Sequence, residues 1–89
     1  MLTDTNLTTY QIIKYIYEYY ALYNSREIIT NITYQYSLSN VQRKHIHSQA
    51  TFIEYWNHIS IDYSTKILLH SVELTKNNLY LIFDKIEYN

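Results

Sequence analysis

Ile28-Ile29-Thr30-Asn31-Ile32-Thr33-Tyr34-Gln35-Tyr36-Ser37-Leu38 is the stretch that sets the fold class. Ile28, Thr30, Ile32, Tyr34, Tyr36 and Leu38 alternate with Ile29, Asn31, Thr33, Gln35 and Ser37. Side chains that alternate between two faces have the period of an extended chain. β-Branched and aromatic residues suit a pleated, half-buried surface. The stretch therefore predicts a strand over 28–38. No proline guards it, so at a sheet edge it would invite pairing with another copy.

On either side the period changes. Upstream, Ile12, Ile16, Tyr20 and Tyr23 fall on one face of a 3.6-residue wheel, with Ile13 alongside. Thr8 and Gln11 have the spacing of a capping box, so the expected helix runs from Thr9 to about Tyr23, with residues 1–7 as a frayed lead-in. Downstream, Ser39 and Gln42 form a second such box. Ile46, Ala50, Ile53 and Trp56 group on the wheel with Val41 and Phe52 adjoining, opposite Arg43, Lys44, His47, Thr51, Glu54 and His58. A strand here would put Glu54 between Phe52 and Trp56 on one face, so helix is the better reading.

The end of the chain reads as β structure. Lys66 to Thr75 and Leu79 to Tyr88 are joined by Lys76-Asn77-Asn78, and asparagine tolerates the positive φ of a tight hairpin. Val72 and Leu74 are expected to share a face with Ile82 and Ile86. Ile59 to Tyr63 is a candidate extra strand. The expected fold class is α+β: helix, strand, helix and hairpin, with two helices packed on one face of a small, mainly antiparallel sheet. At 89 residues the chain suits one compact domain over 1–89.

Composition excludes several classes. There is no glycine, proline or cysteine, while tyrosine occurs 12 times. Without glycine there is no Gly-rich phosphate loop and no nucleophile elbow. Without cysteine there is no disulfide, thiolate nucleophile or Cys-ligated zinc. A formal net charge of −1 provides no general field for nucleic acid or anionic membrane. The first residues lack a basic segment followed by an apolar run, and no 18-residue apolar run occurs, so neither an export signal nor a membrane span is expected. The expected location is cytoplasmic. Heavy use of Ile, Asn and Tyr with no Gly or Pro is also the bias of an AT-rich gene, as in many phages and mobile elements.

Three constellations bear on chemistry. His45 and His47 share a side only in a strand. Glu54 and His58 are a helical turn apart, but His47 lies roughly 10 Å away along a helix axis, so one tetrahedral ion cannot take all three. His70 could join only through folding, and no metal or cofactor is expected. For single-stranded nucleic acid, tyrosines offer stacking platforms, but the cations are scattered and only Arg43 and Lys44 adjoin. The first helix carries the strongest signal. Its inward arc is filled by Ile12, Ile13, Ile16, Tyr20 and Tyr23, which leaves Tyr15, Tyr19 and Leu22 as a second ridge and Tyr10 with Tyr17 on the other flank. A helix packed once on a sheet does not need so much aromatic surface, and tyrosine suits interfaces.

The leading expectation is a small non-enzymatic protein-binding module, an inhibitor from a phage or mobile element that occupies a surface of a host protein complex. It would use Tyr10, Tyr15, Tyr17, Tyr19 and Leu22, and a homodimer is expected slightly more often than a monomer. The alternatives are single-strand nucleic acid binding through Arg43 or Lys44 and a metal-dependent enzyme built on His47, Glu54, His58 or His70.

Overall fold

The computed structural model describes residues 3–19, 33–63 and 65–88. In chain order they form helix α1 (Asp4–Tyr19), strand β1 (Thr33–Ser37), helices α2 (Asn40–His45) and α3 (Gln49–Ile59), a 3-10 turn (Ser60–Asp62), and strands β2 (Thr65–Leu74) and β3 (Asn78–Tyr88). The strands make one antiparallel sheet in the order β1-β3-β2, with helices packed on it. This is the α+β arrangement that the alternation in 28–38 predicts. Thr33 to Ser37 alternate between exposed and half-buried, with Tyr34 and Tyr36 inward. Residues 28–32 and the predicted core positions Tyr20 and Tyr23 lie outside the described residues.

Helix α1 begins at Asp4, not at Thr9, so residues 4–7 are its first turn rather than a frayed lead-in. Thr3 closes that turn. Its hydroxyl accepts from the Asn6 amide at 3.3 Å, and its carbonyl accepts from the Leu7 amide at 2.9 Å. Thr8 thus lies inside the helix and caps nothing. Thr5, Thr8 and Thr9 are buried, and Thr9 Oγ1 satisfies itself by donating to the Thr5 carbonyl at 2.9 Å, the back-bond of a helical threonine.

The capping box at Ser39 is present in full. Ser39 Oγ accepts from the Gln42 amide at 3.1 Å, and Gln42 Oε1 accepts from the Ser39 amide at 2.9 Å. The single helix expected beyond it is broken in two. Ile46 leaves the helix with ψ near 100° and drops into the core. Ser48 is extended and caps α3 by accepting from the Thr51 amide at 3.1 Å. The restart rotates the inward face, so Phe52 and Trp56 are buried while Ala50 is exposed and Val41 points to solvent. Ile59 to Asp62 finish the helix and its 3-10 turn instead of adding a strand.

The hairpin is formed, with Lys76 and Asn77 as its loop and Asn78, expected in the loop, as the first residue of β3. Thr75 and Asn78 close it through an amide-to-carbonyl bond of 2.9 Å, and the Thr75 hydroxyl bonds to Asn78 as well. Among the described side chains of β3 the inward ones are Leu79, Leu81 and Phe83, not Ile82, and the Ile86 side chain lies outside the described ones. Val72 pairs with Leu81 and Leu74 with Leu79, because Asn78 belongs to the strand and shifts the parity by one. Further along, β2 is irregular. Register shifts on both sides of Leu69 let Ile67 and Leu69 face the core as Val72 does. The buried side chains of α1, α3 and the sheet join in one cluster around Trp56, Tyr17, Phe52 and Phe83.

The helical layer also covers part of one edge of the sheet, at Ile67 and Leu69. β2 is an edge strand, and an edge leaves backbone groups without a partner. Tyr17 Oη accepts from the Ile67 amide at 3.0 Å, Trp56 Nε1 donates to the Ile67 carbonyl at 3.0 Å, and Asn57 Oδ1 accepts from the Leu69 amide at 3.0 Å. Side chains of α1 and α3 thus stand where a further strand's backbone would.

Candidate functional site

The aromatic ridge predicted on α1 exists in part. Tyr15 is 46% exposed and Tyr19 67% exposed. Their rings stack with centroids 5.3 Å apart and planes 13° apart, as residues one turn apart on a helix can. Tyr36 of β1 meets Tyr15 edge-on at 5.5 Å, a favoured aromatic geometry. Gln42 Nε2 donates to the Tyr36 hydroxyl at 3.2 Å. One glutamine therefore completes a helix cap with its oxygen and fixes an aromatic ring with its nitrogen. A cleft of about 380 Å³ opens along this platform, lined by Tyr15, Ile16 and residues 34–37 of β1.

Tyr17 does not belong to the exposed flank. It is fully buried. It lies one turn beyond Ile13 and continues that inward row, covered by Tyr63, which stacks on it at 4.1 Å. Its hydroxyl is engaged with Ile67 at the β2 edge. Burial pushes its pKa up to about 12. The Ile67 amide pulls the other way, the neighbouring Tyr63 adds to the rise, and a hydrogen bond with Ser60 opposes it. Tyr63 is also raised, first by burial and then by the nearby charges of Tyr10, Glu18 and Asp62. Tyr10 is 37% exposed. Leu22 lies outside the described residues.

The other candidate residues are not brought together. His47 is exposed in the link between α2 and α3, and His70 is exposed on β2. Glu54 and His58 lie on the exposed side of α3, lining a groove with Asn6, Tyr55 and Ile59. Among the described residues no three potential metal ligands converge. Among them, too, every buried side-chain polar atom has a hydrogen-bond partner, so no buried polar group is left aimed at a ligand. Arg43 is half-buried, and its Nη1 donates to the Ile46 carbonyl at 3.2 Å, tying down the end of α2. That leaves Lys44 exposed beside a guanidinium already in use.

Linear spacing places Tyr36 only on one face of the 28–38 strand and Gln42 only in the Ser39 capping box. Their joint role in the platform depends on β1 and α2 meeting Tyr15, for which linear spacing carries no signal. No helix among the described residues is long and apolar enough to cross a membrane. Comparison with protein-family models, with curated proteins and with solved structures finds no match.

Proposed function

We propose that this chain is a small protein-binding module, without enzymatic activity, that grips its partner with the Tyr15, Tyr19 and Tyr36 platform. The observation that carries the reading is the fixed stack of two exposed phenol rings with a third ring held edge-on by Gln42. Ordering side chains on binding costs free energy, and rings already held in place reduce that cost. Tyrosine combines a large apolar body with a polar tip, which is why it is enriched in binding surfaces. A module of this kind acts by occupying a surface. Inhibition of a host complex by a protein from a phage or mobile element is the corresponding biological role, and it rests on chain size and residue bias.

The test is Tyr15→Ser with Tyr19→Ser, folded protein confirmed by far-ultraviolet circular dichroism. Proteins captured from the native host by the wild type are expected to be lost with the double variant. An unchanged set of captured proteins removes the platform from the binding surface.

A further inference from the structure

The two edges of the sheet are treated differently. The outer edge of β2 is irregular around Leu69, and there the Ile67 amide and carbonyl and the Leu69 amide are occupied by Tyr17, Trp56 and Asn57. At the other edge, β1 pairs with β3 in regular register from Thr33–Ile82 to Ser37–Asn78. The Leu38 amide donates across to the Asn77 carbonyl at 2.8 Å. Antiparallel residues alternate in direction, so Tyr36 and Tyr34 also bond toward β3, while Thr33, Gln35 and Ser37 turn their amides and carbonyls outward. Among the described residues no strand lies beyond them, and the cleft opens along this side. The usual protections of an edge are charge, proline and bulges. Thr33-Tyr34-Gln35-Tyr36-Ser37 has no charged residue, no proline and no register shift.

The strand is also complementary to itself. A two-fold axis through Gln35 sets Gln35 opposite Gln35, Thr33 opposite Ser37, and Tyr34 opposite Tyr36 of the other copy. The outward-bonding residues Thr33, Gln35 and Ser37 then exchange backbone hydrogen bonds. Tyr34 and Tyr36 fall at the non-hydrogen-bonded pairs, where facing side chains come closest and aromatic pairs stabilise a sheet. No like charges meet. The axis stands perpendicular to the sheet, so the helices of both copies lie on the same side.

We propose that the β1 edge is an interface for a second copy of this chain, paired antiparallel about Gln35 into one continuous sheet. This stands on the sheet edge and not on the platform reading, and the two fail separately, because the test leaves Tyr15 and Tyr19 intact.

The experiment is sedimentation equilibrium of the full chain over a wide concentration range, with three variants. The wild type is expected to approach twice the 10.9 kDa of one chain as concentration rises. Gln35→Glu and Gln35→Lys each place like charges across the axis and weaken self-association by about tenfold. An equimolar mixture of the two restores the dimer, because opposite charges then meet. Gln35→Pro removes an outward amide not used toward β3 and gives a monomer with unchanged circular dichroism. If the proline variant does not fold, the charge pair decides alone. A wild type of one-chain mass at every concentration overturns the proposal, including the case in which the edge accepts an extended segment of another protein. A dimer indifferent to all three substitutions overturns it equally, as does a mixture of Glu and Lys variants that stays monomeric.

Discussion

Replacing Tyr17 with phenylalanine isolates one atom, the hydroxyl oxygen that accepts from the Ile67 amide at 3.0 Å. The ring and its stacking on Tyr63 at 4.1 Å are kept, so the loss is that of the hydroxyl, with its bonds to the Ile67 amide and to Ser60. Leaving a buried amide unpaired costs about 1–3 kcal/mol. In a domain of this size each kcal/mol moves Tm by roughly 4–8 °C, so Tyr17→Phe is expected to melt roughly 5–20 °C lower at neutral pH. The pH dependence gives a second, sharper reading. The folded pKa is about 12 against an ordinary value of 10.0. Below pH 10 both folded and unfolded chains hold the proton, and the contribution is fully present. Between pH 10 and 12 the unfolded phenol ionises while the folded one does not, and the wild type loses about 2–3 kcal/mol. Phenylalanine has no proton to lose, so the gap between the two proteins should shrink as pH rises through that window. Urea unfolding followed by the fluorescence of the single tryptophan, Trp56, measures both quantities. A gap below about 0.5 kcal/mol at pH 7, a difference no larger than that of an ordinary surface substitution, would refute the edge-sealing role of Tyr17. A gap that stays constant from pH 9 to 12 would refute the account of its ionisation.

The other predictions concern the remaining polar contacts that hold the fold. Asn57→Ala removes the acceptor for the Leu69 amide and is expected to cost about 1–2 kcal/mol in urea unfolding, whereas Asn57→Asp keeps an acceptor oxygen and should cost less. Ser39→Ala and Ser48→Ala each remove a helix cap and should each cost about 0.5–2 kcal/mol. The two caps serve different helices, so the double variant should equal the sum within about 0.5 kcal/mol; a larger mismatch would show that the break at Ile46 couples them. Gln42→Ala should lower stability by a similar amount and also loosen the Tyr36 ring, read as faster ring flipping by NMR, and unchanged flipping would detach the cap from the platform.

Local periodicity made the elements legible, and failed where a backbone event intervened. The alternation in 33–37, the Ser39 capping box and the terminal hairpin depend on neighbours in sequence, and each is present. The break between α2 and α3 was not legible. Ser48 sits where a wheel places an ordinary helical residue, and only its extended backbone and bond to the Thr51 amide mark the restart. The parity of β3 failed for a similar reason, since moving Asn78 from loop to strand shifts the pairing by one and sets Leu81, not Ile82, opposite Val72. The start of α1 was missed because buried Thr5, Thr8 and Thr9 look polar on a wheel. Half of the candidate site was readable: Tyr15 and Tyr19 lie on the outward side of α1 as spacing indicates. Tyr17 was not, and the rings and amides that complete its setting come from residues 60–67.

Tyrosine does three different jobs here, and what separates them is how deeply each ring is buried. In Tyr17 the oxygen reaches a backbone amide at a sheet edge, so the whole ring can be buried without an unsatisfied polar atom. In Tyr36 it meets Gln42, which holds the ring half-buried at the cleft. Tyr15 and Tyr19 remain substantially exposed and stack on each other. A chain with no proline lacks one means of protecting a strand edge. At β2 the tips of Tyr17, Trp56 and Asn57 take over that protection. Placing such tips requires a helix to pass beside the edge, and α3 does so at β2. At β1, where no such side-chain cover is seen among the described residues, the strand is uncharged and self-complementary, and there the proposed second copy would pair along it.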